Sequence, residues 1–135
     1  MRRATVCLVL LVASSLGSCT LATEVEIFNN TSAPVRLVIN GDVSRLNPGK
    51  HTTIYEREIG HSSVETDGTS WTYDRRSLIP ESFIVWRGWG FWQSRVARVQ
   101  IEADGKIWLL GIDQSPPVTD FVDQPEGFPL VPNKL

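Results

Sequence analysis

Apolar and polar residues alternate in short stretches along most of this chain. Residues 24–27 have the sequence E-V-E-I, and residues 35–39 have the sequence V-R-L-V-I before an Asn-Gly pair. A period of two is typical of strands with one buried face. No window has the spacing of an amphipathic helix of useful length. The pattern predicts an all-β fold: a single antiparallel β-sandwich or small barrel of about seven strands.

Two Asp-Gly pairs, at 67–68 and 104–105, predict tight hairpins. Glycine adopts the positive φ that two-residue hairpin turns need. Such turns fix the residues that pair across each hairpin: Val64 with Trp71, and Ile101 with Trp108. The polar stretch 51–59 follows a Pro-Gly turn and is expected to form another strand.

The composition changes after residue 114. Residues 115–135 contain five prolines together with Phe121 and Phe128. Proline cannot donate to a sheet ladder, so this segment is expected to run extended rather than as a central strand. A free linker would lack its apolar side chains. The segment is therefore predicted to be a tail that docks on the domain.

The first eighteen residues differ from the rest of the chain. Arg2 and Arg3 precede an apolar run over 4–16, which is too short to cross a hydrocarbon core of about 30 Å. A positive start followed by a short apolar run is typical of an export signal. The run ends in Leu16-Gly17-Ser18-Cys19, which resembles the lipobox of bacterial lipoproteins.

This resemblance implies a lipid anchor. In bacterial lipoproteins the signal is cut before the cysteine, whose sulfur takes a diacylglycerol and whose new amine is acylated, so Cys19 is the expected lipidation site. Thr20, in place of aspartate, implies sorting to the outer membrane, with either face left open. The alternatives are an ordinary signal peptide in which the cysteine is coincidental, and a signal peptide cleaved after Ala22. The predicted layout is a signal peptide, a lipidated tether, a β-sandwich domain and a proline-rich tail, at 1–18, 19–24, 25–114 and 115–135.

A second resemblance concerns the start of the domain. The progression N-x-T, V-x-L-x-I, L-x-P-G between Asn29 and Gly49 is similar to the opening strands of immunoglobulin-like envelope domains. It implies a β-sandwich, in agreement with the alternation pattern.

Residue types argue against several kinds of chemistry. A net charge of −2 without a basic cluster disfavours nucleic-acid binding. Cys7 would leave with the signal and Cys19 would be modified, so the mature domain lacks the thiols that soft metals prefer. Two histidines, His51 and His61, do not make a metal site or a catalytic triad by themselves. We therefore expect no catalytic residues, no metal and no cofactor.

The segment VWRGWGFWQS, residues 85–94, holds three of the five tryptophans. Its aromatic residues occur at both odd and even positions, and its glycines favour a bulged strand or a wide loop. The rings could cap one end of the core or form a recognition patch. We expect mostly core, with one or two rings exposed. The candidate binding residues are Trp86, Arg87, Trp89, Phe91 and Trp92.

These observations predict an outer-membrane lipoprotein whose non-enzymatic β-sandwich serves as an interaction or accessory module of the bacterial envelope. Its expected partners are the membrane, through Cys19, and an envelope protein or glycan. One alternative is an inhibitor of a cell-wall hydrolase, and a second is a hydrolase that uses His51 or His61.

Overall fold

A computed structural model describes residues 22–59, 62–73 and 78–133. Within these ranges the chain forms two sheets of strands with a small amount of helix, which confirms the predicted all-β sandwich. The described part has nine strands rather than about seven. The strands are β1 Thr23–Asn29, β2 Val35–Ile39, β3 Asp42–Leu46, β4 His51–Tyr55, β5 Ser63–Thr66, β6 Thr69–Thr72, β7 Val85–Trp89, β8 Trp92–Ile101 and β9 Ile107–Leu109.

The first sheet has the order β4-β1-β8-β7, with β9 also paired to β8. β1 is antiparallel to β4 but parallel to β8, so the expectation of a wholly antiparallel fold is wrong at this one pair. The whole second sheet lies between β1 and β8 in the chain, which supplies the long crossover that a parallel pair needs. Since β1 occupies one edge of β8, β7 and β9 lie one after the other along its opposite edge.

The second sheet has the order β3-β2-β5-β6 and is antiparallel throughout. Asn40 and Gly41 join β2 to β3 with φ of 51° and 88°, the pair of positive values that a type I′ turn requires. The Asp-Gly pair at 67–68 joins β5 to β6 and places Val64 opposite Trp71, as predicted.

The second Asp-Gly prediction is wrong by one residue. Ile101 pairs with Ile107, and Trp108 lies opposite Gln100. The connection is a three-residue loop: the Gly105 N–H donates to the Glu102 carbonyl at 2.9 Å, and Gly105 has a φ of 82°. A turn followed by a glycine in the left-handed region is the common three-residue alternative to the two-residue hairpin.

This shift changes which side chains are buried. A slip of one residue moves every side chain of a strand to the other face of its sheet. Ile107 and Leu109 therefore lie in the core, whereas Trp108 points to the outer face beside Gln100. A side chain at position 105 would collide with Trp71, since a Cβ there would lie 2.6 Å from its ring.

The predicted strand over 51–59 is shorter than expected. β4 ends at Tyr55, and Glu56–Ile59 form one turn of helix, α1. The Glu58 carboxylate accepts a hydrogen bond from the Tyr55 N–H at 2.9 Å, which is the reciprocal half of a capping box. A 3₁₀ turn at Glu81–Phe83 precedes β7.

The hydrophobic core lies between the two sheets. Its side chains alternate along the strands, as a period of two requires. The first sheet contributes Val25, Ile27, Ala97, Val99, Ile101, Ile107 and Leu109, and the second contributes Val35, Leu37, Leu46 and Val64.

The proline-rich tail packs along β9 and over the outer face of the first sheet. Leu130 exchanges backbone hydrogen bonds with Ile107 at 2.9 and 3.0 Å. The Gln124 side chain both donates to and accepts from the Leu109 backbone at 3.0 Å. Phe121 stacks on Trp108 with ring centroids 4.5 Å apart. The tail thereby satisfies the edge of β9, which would otherwise be an open template for another strand.

Candidate functional site

The five candidate binding residues lie together on the β7–β8 hairpin. Trp86, Arg87 and Trp89 belong to β7, Phe91 lies in the turn, and Trp92 begins β8. β1 pairs with β8 only from Arg95 onward. The part of the hairpin before that point therefore extends past the neighbouring strand. We call its end, residues 89–92, the aromatic tip.

The aromatic tip is bare. Trp89, Phe91 and Trp92 have exposed fractions of 89%, 103% and 87%, and Trp86 below them is 52% exposed. The expectation that these rings are mostly core is wrong. The physical reason is the topology: the hairpin projects beyond the sheet, so no other described segment packs over its end. Three adjacent bare rings are unusual on a soluble surface, where large exposed apolar patches commonly mark interaction sites.

The strands β7 and β8 are joined by a two-residue hairpin turn. Trp89 pairs with Trp92, which leaves Gly90 and Phe91 as its two central residues. Gly90 alone of the two has a positive φ, 53°, the pattern of a type II′ turn. The pairing from Val85 to the tip is continuous, so the predicted bulge or wide loop is absent.

Gly88 makes close pairing near the tip possible. It has a φ of 110°, and a Cβ there would lie 2.0 Å from the Trp92 carbonyl oxygen. Any larger residue would push the two strands apart. The signal that sequence reasoning missed is the Gly-Phe pair between Trp89 and Trp92, which is a glycine-first turn flanked by a cross-strand aromatic pair.

Ion pairs hold the base of the hairpin. Arg87 donates to the Glu26 carboxylate at 2.6 Å, across the intervening strand β8. Arg95 is paired with Glu81, and its guanidinium lies 5.8 Å from the centre of the Trp86 ring. Both arginines are thus matched by a carboxylate of the same domain. The tip above them carries no charged side chain.

His51, at the start of β4, lies beside a carboxylate of the neighbouring strand. The exposed His51 ring lies 3.9 Å from the Glu26 carboxylate, which is already engaged by Arg87. Among the described residues, no hydrogen bond joins His51 to a serine or threonine hydroxyl. His61, the other candidate, lies outside the described residues.

Two features are absent from residues 22–59, 62–73 and 78–133. No group of three or more histidine, cysteine, aspartate or glutamate side chains is arranged to hold a metal ion there. No helix in those ranges has the length and apolar character needed to cross a membrane.

The predicted lipidation site, Cys19, lies outside the described residues. β1 begins at Thr23, four positions later, so the last two residues of the predicted tether, Thr23 and Glu24, belong to the first strand.

A groove of about 650 Å³ lies at the opposite end of the molecule, between Trp71, Lys106 and Asn133. Burial alone would raise the pKa of Asp104, but hydrogen bonds from the backbone and side chain of Lys106 hold this pKa below its usual range. Burial, and then the charge of Asp104, raise the pKa of the Tyr73 hydroxyl, which donates to the Gly105 carbonyl at 2.6 Å. These hydrogen bonds hold the turn between β8 and β9 in place.

Comparison with protein-family models, with characterised proteins and with solved structures finds no match for this chain.

Proposed function

We propose that this protein is a lipid-anchored, non-catalytic binding module of the bacterial outer membrane, and that the aromatic tip is its binding element. The observation that carries this proposal is the exposure of three adjacent aromatic rings on a hairpin with an ion-paired base. Tryptophan is enriched at binding hot spots because it offers a large contact area at a small cost in side-chain entropy.

The base of the hairpin supports this role. A binding element gains affinity when its shape is set before the partner arrives, since less conformational entropy is then lost on binding. The tight turn at Gly90 and the Glu26–Arg87 pair restrict the hairpin in this way. The rings are presented outward rather than used for packing.

The anchor is proposed from the lipobox at residues 16–19. Three acyl chains would hold the protein on a bilayer far more firmly than one, because each buried CH₂ contributes about 0.8 kcal/mol. Mass spectrometry of the protein from a bacterial membrane fraction tests this. We expect a chain that begins at Cys19 and carries diacylglycerol and an amide-linked acyl chain. Cys19→Ser should abolish the modification, and Cys7→Ser, the matched control, should leave it intact.

The binding role is tested by crosslinking in intact cells. A photoreactive amino acid at position 89 should give specific crosslinks to a component of the envelope, and the same group at Val131, an exposed position near the opposite end, should not. Equal and nonspecific crosslinking from both positions would contradict a binding role for the tip.

One observation also favours the alternative of an inhibitor of a cell-wall hydrolase. The aromatic tip is a narrow projection, and such a projection is the shape that an enzyme cleft accepts. Purified protein in molar excess over lysozyme would then lower the rate of cell-wall lysis, and replacement of Trp89 and Trp92 by serine would restore it. An unchanged rate with the unaltered protein removes this alternative.

A further inference from the structure

The start of β1 and the aromatic tip lie at the same end of the molecule. β1 and β8 are parallel and in register, with Thr23 opposite Arg95 and Asn29 opposite Ile101. The tip lies at the first residues of β8. Because the two strands are parallel, the first residues of β1 point to the same end. Thr23, where β1 begins, therefore lies at the tip end of the domain, beside the hairpin.

The lengths on the two sides match. Phe91 is four positions before Arg95 and so lies about 13 Å farther along the hairpin, at the rise of an extended strand. Cys19 is four positions before Thr23, and four residues reach at most about 14 Å. A lipid attached to Cys19 would therefore hold the bilayer within reach of the tip.

The side chains of the tip suit the interface between headgroups and acyl chains. Tryptophan and phenylalanine carry large apolar rings, and tryptophan concentrates at membrane interfaces, where its N–H can still meet water. The nearest cations, Arg87 and Arg95, are neutralised by Glu26 and Glu81. Residues 89–92 carry no charged side chain, so the tip itself can enter an apolar layer without an unpaired charge.

We propose that the aromatic tip inserts into the interfacial layer of the bilayer that carries the lipid anchor. This inference rests on the proposed anchoring at Cys19 and names the bilayer as the partner of the tip. Two attachments at one end fix the orientation of the domain: β1 and β8 point toward the membrane with their first residues, and the tail-covered end faces away from it. A protein or glycan ligand of the tip would have to compete with the bilayer held beside it.

Tryptophan quenching by brominated lipid tests the proposal. The mature, acylated protein is incorporated into phosphatidylcholine vesicles whose acyl chains carry bromine, which quenches a ring only on contact. We expect strong quenching of the unaltered protein. A variant with Trp89→Ser, Phe91→Ser and Trp92→Ser should lose most of it. Of its three remaining tryptophans, Trp71 and Trp108 lie at the far end of the domain, and Trp86 lies below the tip with its ring half-buried beside Arg95. Val131→Ser, the matched control, should keep it.

The outcomes separate cleanly. Quenching that is no stronger in the unaltered protein than in the triple variant overturns the insertion. Crosslinks from position 89 to a protein, without lipid quenching, also overturn it. The mass of the same sample reports acylation independently, so a failed anchor is distinguished from a failed insertion. If the chain is unacylated, the triple variant should still bind vesicles more than about tenfold more weakly than the unaltered protein in flotation, since the loss of each ring removes apolar contact with lipid. Circular dichroism shows whether both proteins are folded.

Discussion

Aromatic residues lie on the same outer face of the first sheet near both ends of β8, but their exposure differs. Trp108, opposite Gln100 near the end of β8, is covered by the tail and stacks on Phe121. Trp92, at the start of the same strand, lies opposite Trp89 and is 87% exposed. A ring on the outer face of this sheet is therefore part of the packed structure where another segment of the chain covers it.

The covered end is held by specific contacts. The buried Gln100 side chain exchanges hydrogen bonds with the Val118 backbone at 2.8 Å, and Gln124 does the same with Leu109 on the neighbouring strand. Each glutamine side chain pairs with a backbone as a neighbouring strand would, since an amide side chain has the same donor and acceptor as a peptide group. The aromatic tip has no such partner among the described residues.

Mutation of the covered end should lower the stability most. Leu130→Ala should lower the free energy of unfolding by about 3 kcal/mol, because Leu130 is buried against the core and its truncation leaves a cavity. Val131→Ala, the exposed neighbour, should change it by less than about 0.5 kcal/mol. Urea unfolding measures both. Equal effects for the two variants would show that the tail is not part of the cooperative unit.

A smaller effect is expected where the tail meets the edge of β9. Gln124→Ala should cost about 1–3 kcal/mol, because the N–H and carbonyl of Leu109 lose their partners. Gln93→Ala, a glutamine on the exposed hairpin, is the control and should be nearly neutral. Hydrogen exchange at the Leu109 amide should speed up in the first variant and not in the second.

Tyr73 gives a pH-dependent comparison. Tyr73→Phe should cost about 1 kcal/mol at neutral pH, through the lost hydrogen bond to Gly105. Because burial raises the pKa of Tyr73, the folded protein keeps the hydroxyl proton after the unfolded chain releases it near pH 10. The stability of the unaltered protein should therefore fall above about pH 10. The variant should fall less steeply. Parallel curves for the two proteins in alkaline urea titrations would contradict a buried, protonated Tyr73.

The smallest effect on stability is expected at the aromatic tip. Trp89→Ala, Phe91→Ala and Trp92→Ala should each change the free energy of unfolding by less than about 0.5 kcal/mol, because exposed rings lose little contact on truncation. Acrylamide should quench the tryptophan fluorescence of the unaltered protein more than that of the two tryptophan variants. A loss above about 1 kcal/mol in any of the three would mean that the ring is packed.

Local sequence determined several features correctly. The alternation over 24–27 and 35–39 lies in β1 and β2, and the pairing of Val64 with Trp71 follows from the Asp-Gly turn. These predictions succeeded because turn chemistry and side-chain period act over a few residues. The predicted pairing of Ile101 with Trp108 was wrong because it depended on more than local residues. The choice between a two-residue and a three-residue loop depends on Trp71 and Tyr73, which pack on the turn from distant positions.

The all-β class, the places of most turns and the residues of the candidate site follow from the sequence alone. That the aromatic tip is bare, and that it lies beside the start of β1, depends on how distant parts of the chain pack together. Exposure depends on which distant segment packs over a ring, and the parallel pairing of β1 with β8 joins residues more than seventy positions apart. The local pattern of apolar and polar residues predicts neither the exposure of the tip nor its position beside β1.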